Sequence, residues 1–138
     1  MYMPSRKKAK FSNQAIEVGG LQFDSKLEQR IYAQLILISN IESVELHKSF
    51  DLIVNDTKIC RVEPDFTVHL KSGVILYADA KSNPTETAIS SLKFKLFRAL
   101  YGKKIWILPR EMCDFLDLCG ANKKYDAFLE VRHDNTDP

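Results

Sequence analysis

The sequence predicts an α/β protein in which a mixed β-sheet is flanked by helices, with an α-β-β-β-α-β core. Three observations predict this fold class. They are a helical repeat of apolar residues after residue 25, strand-like segments between residues 49 and 81, and a second helical repeat followed by a short strand. A chain of 138 residues suits one domain rather than two.

The first helix is predicted over residues 25–39. Ser25 has the side chain of a good N-cap residue. Apolar residues then recur at spacings of four, four and three, which stacks them on one helix face: Leu27, Ile31, Leu35 and Ile38. This face should pack against the sheet.

The second helix is predicted to begin at a Thr85 cap and to run to about Tyr101, where Gly102 ends it. Its expected buried stripe consists of four apolar residues: Ile89, Leu92, Leu96 and Leu100. A last strand is predicted over residues 105–108 and a short closing helix over 110–119.

Three strands are predicted over residues 49–54, 59–70 and 74–81, with a turn at 55–58 and a three-residue loop at 71–73. Side chains alternate faces along a strand. A register in which Val68 faces Leu76 therefore brings both apolar faces to one core. The same register places Asp65 opposite Asp79, and a slip of one residue would turn Asp65 to the other side.

Two carboxylates opposite each other on neighbouring strands repel. Lys81 lies on the same face as Asp79, but one ammonium does not balance two carboxylates. A divalent cation would remove the repulsion, and hard oxygen ligands favour Mg²⁺. The spacing alone also permits a second interpretation, in which Asp65 caps a turn after Pro64 while Asp79 and Lys81 form a solvated edge.

Composition limits the remaining classes. The net charge of +2 is a weak indication of nucleic-acid binding, although four cations lie within the first ten residues. Three cysteines without CxxC spacing indicate reduced thiols and no zinc site. No apolar run approaches the roughly 18 residues that span a bilayer, so we expect no membrane contact. The reduced thiols, and a basic start without a hydrophobic segment behind it, lead us to expect a cytoplasmic protein. We expect a basic arm over 1–20, a folded domain over 21–120 and an acidic-tailed segment over 121–138.

Two short acidic motifs carry a family resemblance. Pro64-Asp65 is followed, after thirteen residues, by Asp79-Ala80-Lys81. Other segments stand around this pair: Phe23-Asp24-Ser25-Lys26-Leu27-Glu28, Phe50-Asp51-Leu52-Ile53, Lys93-Phe94-Lys95-Leu96-Phe97 and Tyr101-Gly102. In this order the chain resembles the small phage-type endonuclease domains of the PD-(D/E)xK, or restriction-endonuclease-like, superfamily over residues 20–108.

The resemblance implies a Mg²⁺-dependent endonuclease that hydrolyses phosphodiester bonds in DNA, with Mn²⁺ able to replace Mg²⁺, in a bacterial or phage-infected cell. It implies that residues 21–120 form a nuclease domain. The metal ligands would be Asp65, Asp79, Glu28 and the Ala80 carbonyl. Lys81 would act beside the attacked phosphate, so the expected catalytic residues are Lys81, Asp79, Asp65 and Glu28.

Glu28 has a second interpretation, and the motifs depart from the superfamily pattern at three positions. Ser25 and Glu28 fit the S-x-x-E capping box, in which the glutamate accepts a hydrogen bond from the backbone amide of the cap residue. Aspartate stands at 79 where glutamate is commoner, Ser82 stands where glycine often follows the lysine, and Lys48 lies near a frequent glutamine. These departures affect the geometry of the site rather than its metal chemistry.

Cations on and after the second helix are expected to contact DNA phosphates: Lys93, Lys95, Arg98, Lys103 and Lys104. A solvated helix face is the alternative. His69 shares a strand face with Asp65, but it lies near the loop, where we expect it to be exposed rather than to act as a base.

Three functions stay open at this point. The first is a DNA endonuclease, with junctions or branched DNA as candidate substrates. The second is a catalytically silent DNA-binding module with the same fold, and the third is an enzyme that cuts RNA. Cleavage of both strands or of a junction needs two sites. The expected partners are therefore DNA and either a second copy of the chain or a partner nuclease or DNA-binding subunit.

Overall fold

The structure, a computed structural model, describes residues 16–81 and 87–121. Eight strands and three helices follow one another in these ranges. In chain order they are β1 (Ile16–Val18), β2 (Leu21–Phe23), α1 (Lys26–Leu35), β3 (Ile41–Leu46), β4 (Phe50–Val54), β5 (Thr57–Val62), β6 (Phe66–Leu70), β7 (Ile75–Ala80), α2 (Ala88–Tyr101), β8 (Ile105–Leu108) and α3 (Met112–Cys119).

A four-stranded mixed sheet in the order β3-β6-β7-β8 forms the centre of the fold. The first three strands are antiparallel, and β8 runs parallel to β7. Parallel neighbours need a crossover connection, which α2 provides. β1 pairs with β2, and β4 pairs with β5, in two separate hairpins. The predicted α/β class, with a mixed sheet flanked by helices, is confirmed.

Each face of the sheet carries its own core. On one face, α1 and α3 pack over aliphatic side chains of β6 and β7, among them Val68 and Ala78. On the other face, α2 and the β4–β5 hairpin pack around Phe97, Leu52 and Ile105. The sheet is thus covered on both sides, which holds its strand ends in fixed positions.

The predicted register of the β6–β7 hairpin is confirmed. Val68 pairs with Leu76, and Phe66 pairs with Ala78. The Leu70 N–H donates to the Val74 carbonyl oxygen at 2.9 Å, as a three-residue loop requires. Continuing this register by one residue brings Asp65 opposite Asp79.

The first helix buries the predicted face but is shorter than predicted. Ile31 and Leu35 are buried, and Ser25 Oγ accepts a hydrogen bond from the Glu28 N–H at 3.1 Å. The helix ends at Leu35 rather than near Ser39. Ile38 is still buried because the turn after the helix returns it to the core.

The predicted buried stripe of the second helix is wrong. Ile89 and Leu92 are 70% and 66% exposed, whereas Phe97 is fully buried. The Phe97 ring lies 5.3 Å from the Phe50 ring and 5.2 Å from the Tyr77 ring. Aromatic rings bury more area than leucine or isoleucine and gain further from ring contacts, so the aromatic face turns inward.

The start of this helix also differs from the prediction. Its N-cap is Thr87, whose Oγ1 accepts a hydrogen bond from the Ser90 N–H at 3.0 Å. The predicted cap, Thr85, lies outside the described residues. Gly102 ends the helix in the left-handed conformation, as predicted.

Two of the three predicted strands are each one or two residues shorter than predicted, and the third is divided. The segment predicted as one strand over 59–70 divides at Pro64 into β5 and β6, which belong to different sheets. Proline lacks the N–H that a continuous ladder needs. The predicted turn 55–58 narrows to Asn55 and Asp56, both with positive φ. One outer strand of the central sheet is β3, which was not predicted from the sequence.

The β1–β2 hairpin turns at Gly19 and Gly20, whose φ angles are 59° and 86°. This turn needs the left-handed conformation at both positions, which glycine adopts without strain. The predicted boundary between the N-terminal arm and the folded domain, at residue 20, therefore falls within a hairpin.

Candidate functional site

Four side chains from three parts of the chain meet beside the start of β6. Asp24 and Glu28 come from the N-terminal end of α1, His47 follows β3, and Asp65 precedes β6. One donor atom of each residue lies within 4.8 Å of the donor atoms of the other three. We call these four residues the acidic cluster. The sequence analysis predicted two of them, Glu28 and Asp65.

Glu28 is 1% exposed and has two different tasks. Its Oε1 accepts a hydrogen bond from the Asp24 N–H at 2.9 Å. Its Oε2 forms an ion pair with His47 Nε2 at 2.6 Å, and neither atom has another hydrogen-bond partner among the described residues. One oxygen thus supports the helix start, although through Asp24 rather than the Ser25 amide of a capping box. The other oxygen faces the cluster.

The carboxylates of Asp65 and Asp79 each accept a hydrogen bond from a backbone N–H on the neighbouring segment. Asp79 Oδ1 accepts from the Asp65 N–H at 2.8 Å, and Asp65 Oδ2 accepts from the Ala80 N–H at 2.9 Å. The predicted placement of the two aspartates side by side is confirmed. The argument that only a cation could make their approach tolerable is incomplete, because each carboxylate also accepts a backbone N–H.

Lys81 lies beside Asp79 at the end of β7. Its Nζ is 3.6 Å from Asp79 Oδ2 and 5.8 Å from the centre of the Phe94 ring. Its N–H donates to the Leu108 carbonyl oxygen at 2.9 Å, which fixes the backbone of Lys81 against β8. The ammonium is therefore held at the edge of the acidic side chains.

Burial makes negative charge costly at this site. Burial and the neighbouring Asp79 carboxylate raise the pKa of Asp65 to about 8, although the hydrogen bond from the Ala80 N–H lowers it. Burial also raises the pKa of Asp79, although the Asp65 N–H and Lys81 oppose it. The hydrogen bond to Glu28 and its negative charge raise the pKa of His47 to about 9, although burial lowers it. Without an added cation, several of these groups hold a proton that they would lose in water.

His47 is fixed by the strand next to Asp65. Its N–H donates to the Asp65 carbonyl oxygen at 3.1 Å, extending the β3–β6 pairing in which Leu46 faces Phe66. Its φ is 57°, a left-handed conformation that costs a residue other than glycine about 1–3 kcal/mol. The surrounding contacts must hold it there.

The sequence analysis missed His47 and gave Asp24 no role. Asp24 precedes the cap of α1 and stands one helical turn before Glu28, so its position could have indicated a shared face. No local pattern identifies His47. Its place beside Asp65 depends on the pairing of β3 with β6, which joins segments far apart in the chain.

The donor atoms of the acidic cluster fit a divalent cation. Glu28 Oε2, a buried carboxylate oxygen that pairs with His47, faces the carboxylates of Asp24 and Asp65. Carboxylate oxygens are the ligands that hard divalent cations prefer. Asp79 lies directly behind Asp65, and the Ala80 backbone contacts Asp65 Oδ2. The two predicted ligands outside the cluster are thus at its border.

A basic pocket of about 230 Å³ opens between α2 and β8. Its lining residues are Ser91, Phe94, Lys95, Arg98, Lys104, Ile105, Ile107, Arg110 and Glu111. The pocket brings together three of the five predicted DNA contacts, Lys95, Arg98 and Lys104. Lys93 does not line it, and Lys103 Nζ instead donates to the Ile75 carbonyl oxygen at 3.5 Å.

The cations of this basic pocket are not equivalent. Lys104 Nζ lies 2.8 Å from Glu111 Oε2 and 4.1 Å from the centre of the Trp106 ring. Its charge is therefore largely balanced within the protein. Lys95 and Arg98 are exposed on α2. Phe94 lines the pocket, and its ring also contacts the ammonium of Lys81. The pocket is therefore adjacent to Lys81.

His69 lies far along β6 from the acidic cluster. It stands four residues after Asp65, about 13 Å along an extended strand. Its Nε2 is 3.4 Å from Glu45 Oε1 on β3. The side chain is half-buried rather than exposed as predicted, because β3 covers that part of β6.

A model of a protein family matches residues 8–110 of the chain. The chain belongs to the DUF1064 family. The family is described as a protein of unknown function. No curated protein and no solved structure matches the chain. The DUF1064 match includes the whole acidic cluster, Asp79 and Lys81, and it ends at Arg110, before α3.

Within the described part of this DUF1064 chain, no helix has the length and apolar character needed to cross a membrane.

Proposed function

We propose that this DUF1064 protein is a divalent-metal-dependent endonuclease that hydrolyses phosphodiester bonds in DNA. The observation that carries the proposal is the placement of buried carboxylates next to one lysine. Asp65 and Asp79 are joined across β6 and β7, and Lys81 Nζ lies 3.6 Å from Asp79. Glu28 adds a buried carboxylate oxygen that pairs with His47.

The strand order supports a restriction-endonuclease-like fold for this protein. The elements that contribute to the central sheet and its helical cover follow in the order α1, β3, β6, β7, α2, β8. This order agrees with the expected α-β-β-β-α-β core, although β3, rather than the predicted strand at 49–54, is its first strand. The β4–β5 hairpin is an insertion between the first and second of these strands.

The residues divide into ligands and a cationic group. Glu28, Asp65 and Asp79 would hold the metal ion through carboxylate oxygens, with the Ala80 carbonyl beside them. When bound, a divalent cation polarises a phosphate oxygen and makes a water molecule more acidic. Lys81 places a point charge where negative charge grows on the phosphate during hydrolysis. Asp79 Oδ2 and the Phe94 ring keep that ammonium in position.

The basic pocket supports DNA as the substrate. Lys95 and Arg98 are exposed, and Phe94 connects their pocket with Lys81. Cations on this path would bind backbone phosphates on one side of the bond that is cut. Lys104 contributes less, because Glu111 balances its charge.

The test is cleavage of plasmid, linear duplex, flapped and four-way-junction DNA, with and without Mg²⁺ or Mn²⁺. We expect cleavage that requires the cation and that Asp79→Ala abolishes while circular dichroism shows an unchanged fold. Asp51→Ala is the matched control, because Asp51 is an exposed aspartate that pairs only at the surface with Lys58 at 3.3 Å. Its cleavage rate should equal that of the wild type.

Each other result identifies a different function. DNA binding without cleavage in every metal would indicate the catalytically silent module, and cleavage of RNA alone would indicate a ribonuclease. Equal cleavage by Asp79→Ala and wild type would contradict the proposed site. Cutting of both strands should depend on protein concentration, because it needs a second copy of the chain or a partner subunit.

A further inference from the structure

The nuclease proposal gives no role to two side chains of the acidic cluster, Asp24 and His47. We propose that His47 Nε2 is a direct ligand of the bound cation, which therefore has a nitrogen donor as well as carboxylate oxygens. The site would then prefer a transition-metal cation of the Mn²⁺ type over Mg²⁺. This inference rests on the proposed function and refines the identity of its metal ion.

The distances around His47 are close to those between ligands of one ion. Its Nε2 lies 2.6 Å from Glu28 Oε2, 3.6 Å from Asp24 Oδ2 and 4.0 Å from Asp65 Oδ1. Atoms about 2.1 Å from a shared ion stand about 3.0 Å apart when adjacent and about 4.2 Å apart when opposite. Movements of about 0.2–0.6 Å would bring the three distances from His47 to these values.

Burial points to the same position. Glu28 is 1% exposed, and Glu28 Oε2 and His47 Nε2 are both buried atoms. They lie 2.6 Å apart and, among the described residues, have no other hydrogen-bond partner. Because a carboxylate oxygen only accepts, this pairing needs a proton on His47 Nε2. A cation bound by both atoms would take the place of that proton.

The backbone holds His47 in this place before any ion binds. The backbone N–H of His47 donates a hydrogen bond to the Asp65 carbonyl oxygen. The backbone of His47 is therefore fixed next to the segment that carries Asp65. Ligands fixed by their own backbone lose little freedom when an ion arrives.

The nitrogen donor determines which ions the site accepts. Mg²⁺ takes oxygen ligands almost exclusively. Imidazole instead suits first-row transition metals, whose affinity for a given site increases from Mn²⁺ to Cu²⁺. Three carboxylates and one imidazole therefore favour Mn²⁺ over Mg²⁺ for the same protein.

Pulsed electron paramagnetic resonance of the Mn²⁺-loaded full-length protein tests the ligand directly. A coordinated imidazole gives modulation of the electron spin echo by ¹⁴N, which changes when the histidines carry ¹⁵N. We expect this modulation in the wild type and in His69→Asn, the matched control. It should be absent from His47→Asn, and the Mn²⁺ dissociation constant should rise about 10- to 100-fold. The Mn²⁺ preference over Mg²⁺ should narrow in parallel.

The wild-type spectrum decides the question even if His47→Asn does not fold. Mn²⁺ that binds without nitrogen modulation would overturn the inference and leave His47 as an ion-pair partner of Glu28. Metal-dependent cleavage would then still support the nuclease. A protein that binds neither Mn²⁺ nor Mg²⁺ would instead contradict the proposed function itself. Persistence of the nitrogen signal in His47→Asn would assign it to another histidine and also reject the inference.

Discussion

The acidic cluster and the basic pocket lie at neighbouring edges of the molecule but are built differently. Glu28, Asp65 and Asp79 are largely buried, whereas Asp24 is exposed, and hydrogen bonds with backbone N–H groups fix Glu28, Asp65 and Asp79. The basic pocket is open, and Lys95 and Arg98 project from one helix into solvent. The difference indicates that the first region is organised for a small ion before binding, whereas the second can adapt to a long polyanion.

The largest effect should come from the residue between the two regions. Lys81→Met should lower the cleavage rate about 10²- to 10³-fold, because a charge that stabilises the transition state is lost. Mn²⁺ binding, measured by calorimetry, should be retained. Lys71→Met, at an exposed loop position, serves as the control and should cleave normally. Loss of Mn²⁺ binding in Lys81→Met would place the lysine in ion binding rather than in catalysis.

The next effect concerns the stability that the ion provides. Mn²⁺ at 100 times its dissociation constant should raise the free energy of unfolding of the wild type by about 2.7 kcal/mol. In Glu28→Gln the increase should nearly vanish, because the buried ligand oxygen becomes part of a neutral amide. Thermal unfolding with and without Mn²⁺ measures the difference. An equal increase in both proteins would show that Glu28 acts only at the helix start.

A smaller effect is expected from the basic pocket. Replacing Lys95 and Arg98 together by alanine should lower the slope of log K against log salt for duplex DNA by about 2. Binding weakens for every DNA sequence, since phosphates are the contacts. Fluorescence anisotropy across a salt series measures the slope. The control replaces Lys58 and Arg61, two exposed cations of β5, and should keep the wild-type slope.

The smallest effect should come from Glu111, beside the pocket. Burial opposes ionisation there, but Lys104 and the Ile107 N–H lower the pKa of Glu111 overall. Its contribution to stability is therefore present above the pKa of the unfolded chain and is lost as the pH falls through the lower folded value. Glu111→Gln should cost up to about 1 kcal/mol at pH 7 and little at acid pH. Urea unfolding at both pH values measures this.

Local sequence patterns predicted the parts of the site that depend on neighbouring residues. The β6–β7 hairpin follows from alternation and a three-residue loop, and this pairing alone brings Asp65 beside Asp79. The helical spacing near Ser25 likewise predicted which face of α1 is buried. Both inferences needed only contacts between segments close in the chain.

Other parts required tertiary contacts that no local pattern contains. The second helix has two apolar stripes, and only the aromatic rings of Phe50 and Tyr77 decide that Phe97 faces inward. β3 carries the charged residues Glu42 and Glu45 because it is an outer strand, so its pattern is weak. His47 could not be recognised until β3 was paired with β6.

The reciprocal hydrogen bonds between β6 and β7 make the two aspartates energetically inseparable. A substitution at Asp79 removes the acceptor for the Asp65 N–H, and a substitution at Asp65 removes the acceptor for the Ala80 N–H. The free-energy changes of the two single variants should consequently not sum to that of the double variant. Each single substitution already removes part of the interaction that the other one removes. A double-mutant cycle therefore measures how much of the ion affinity depends on the two aspartates together.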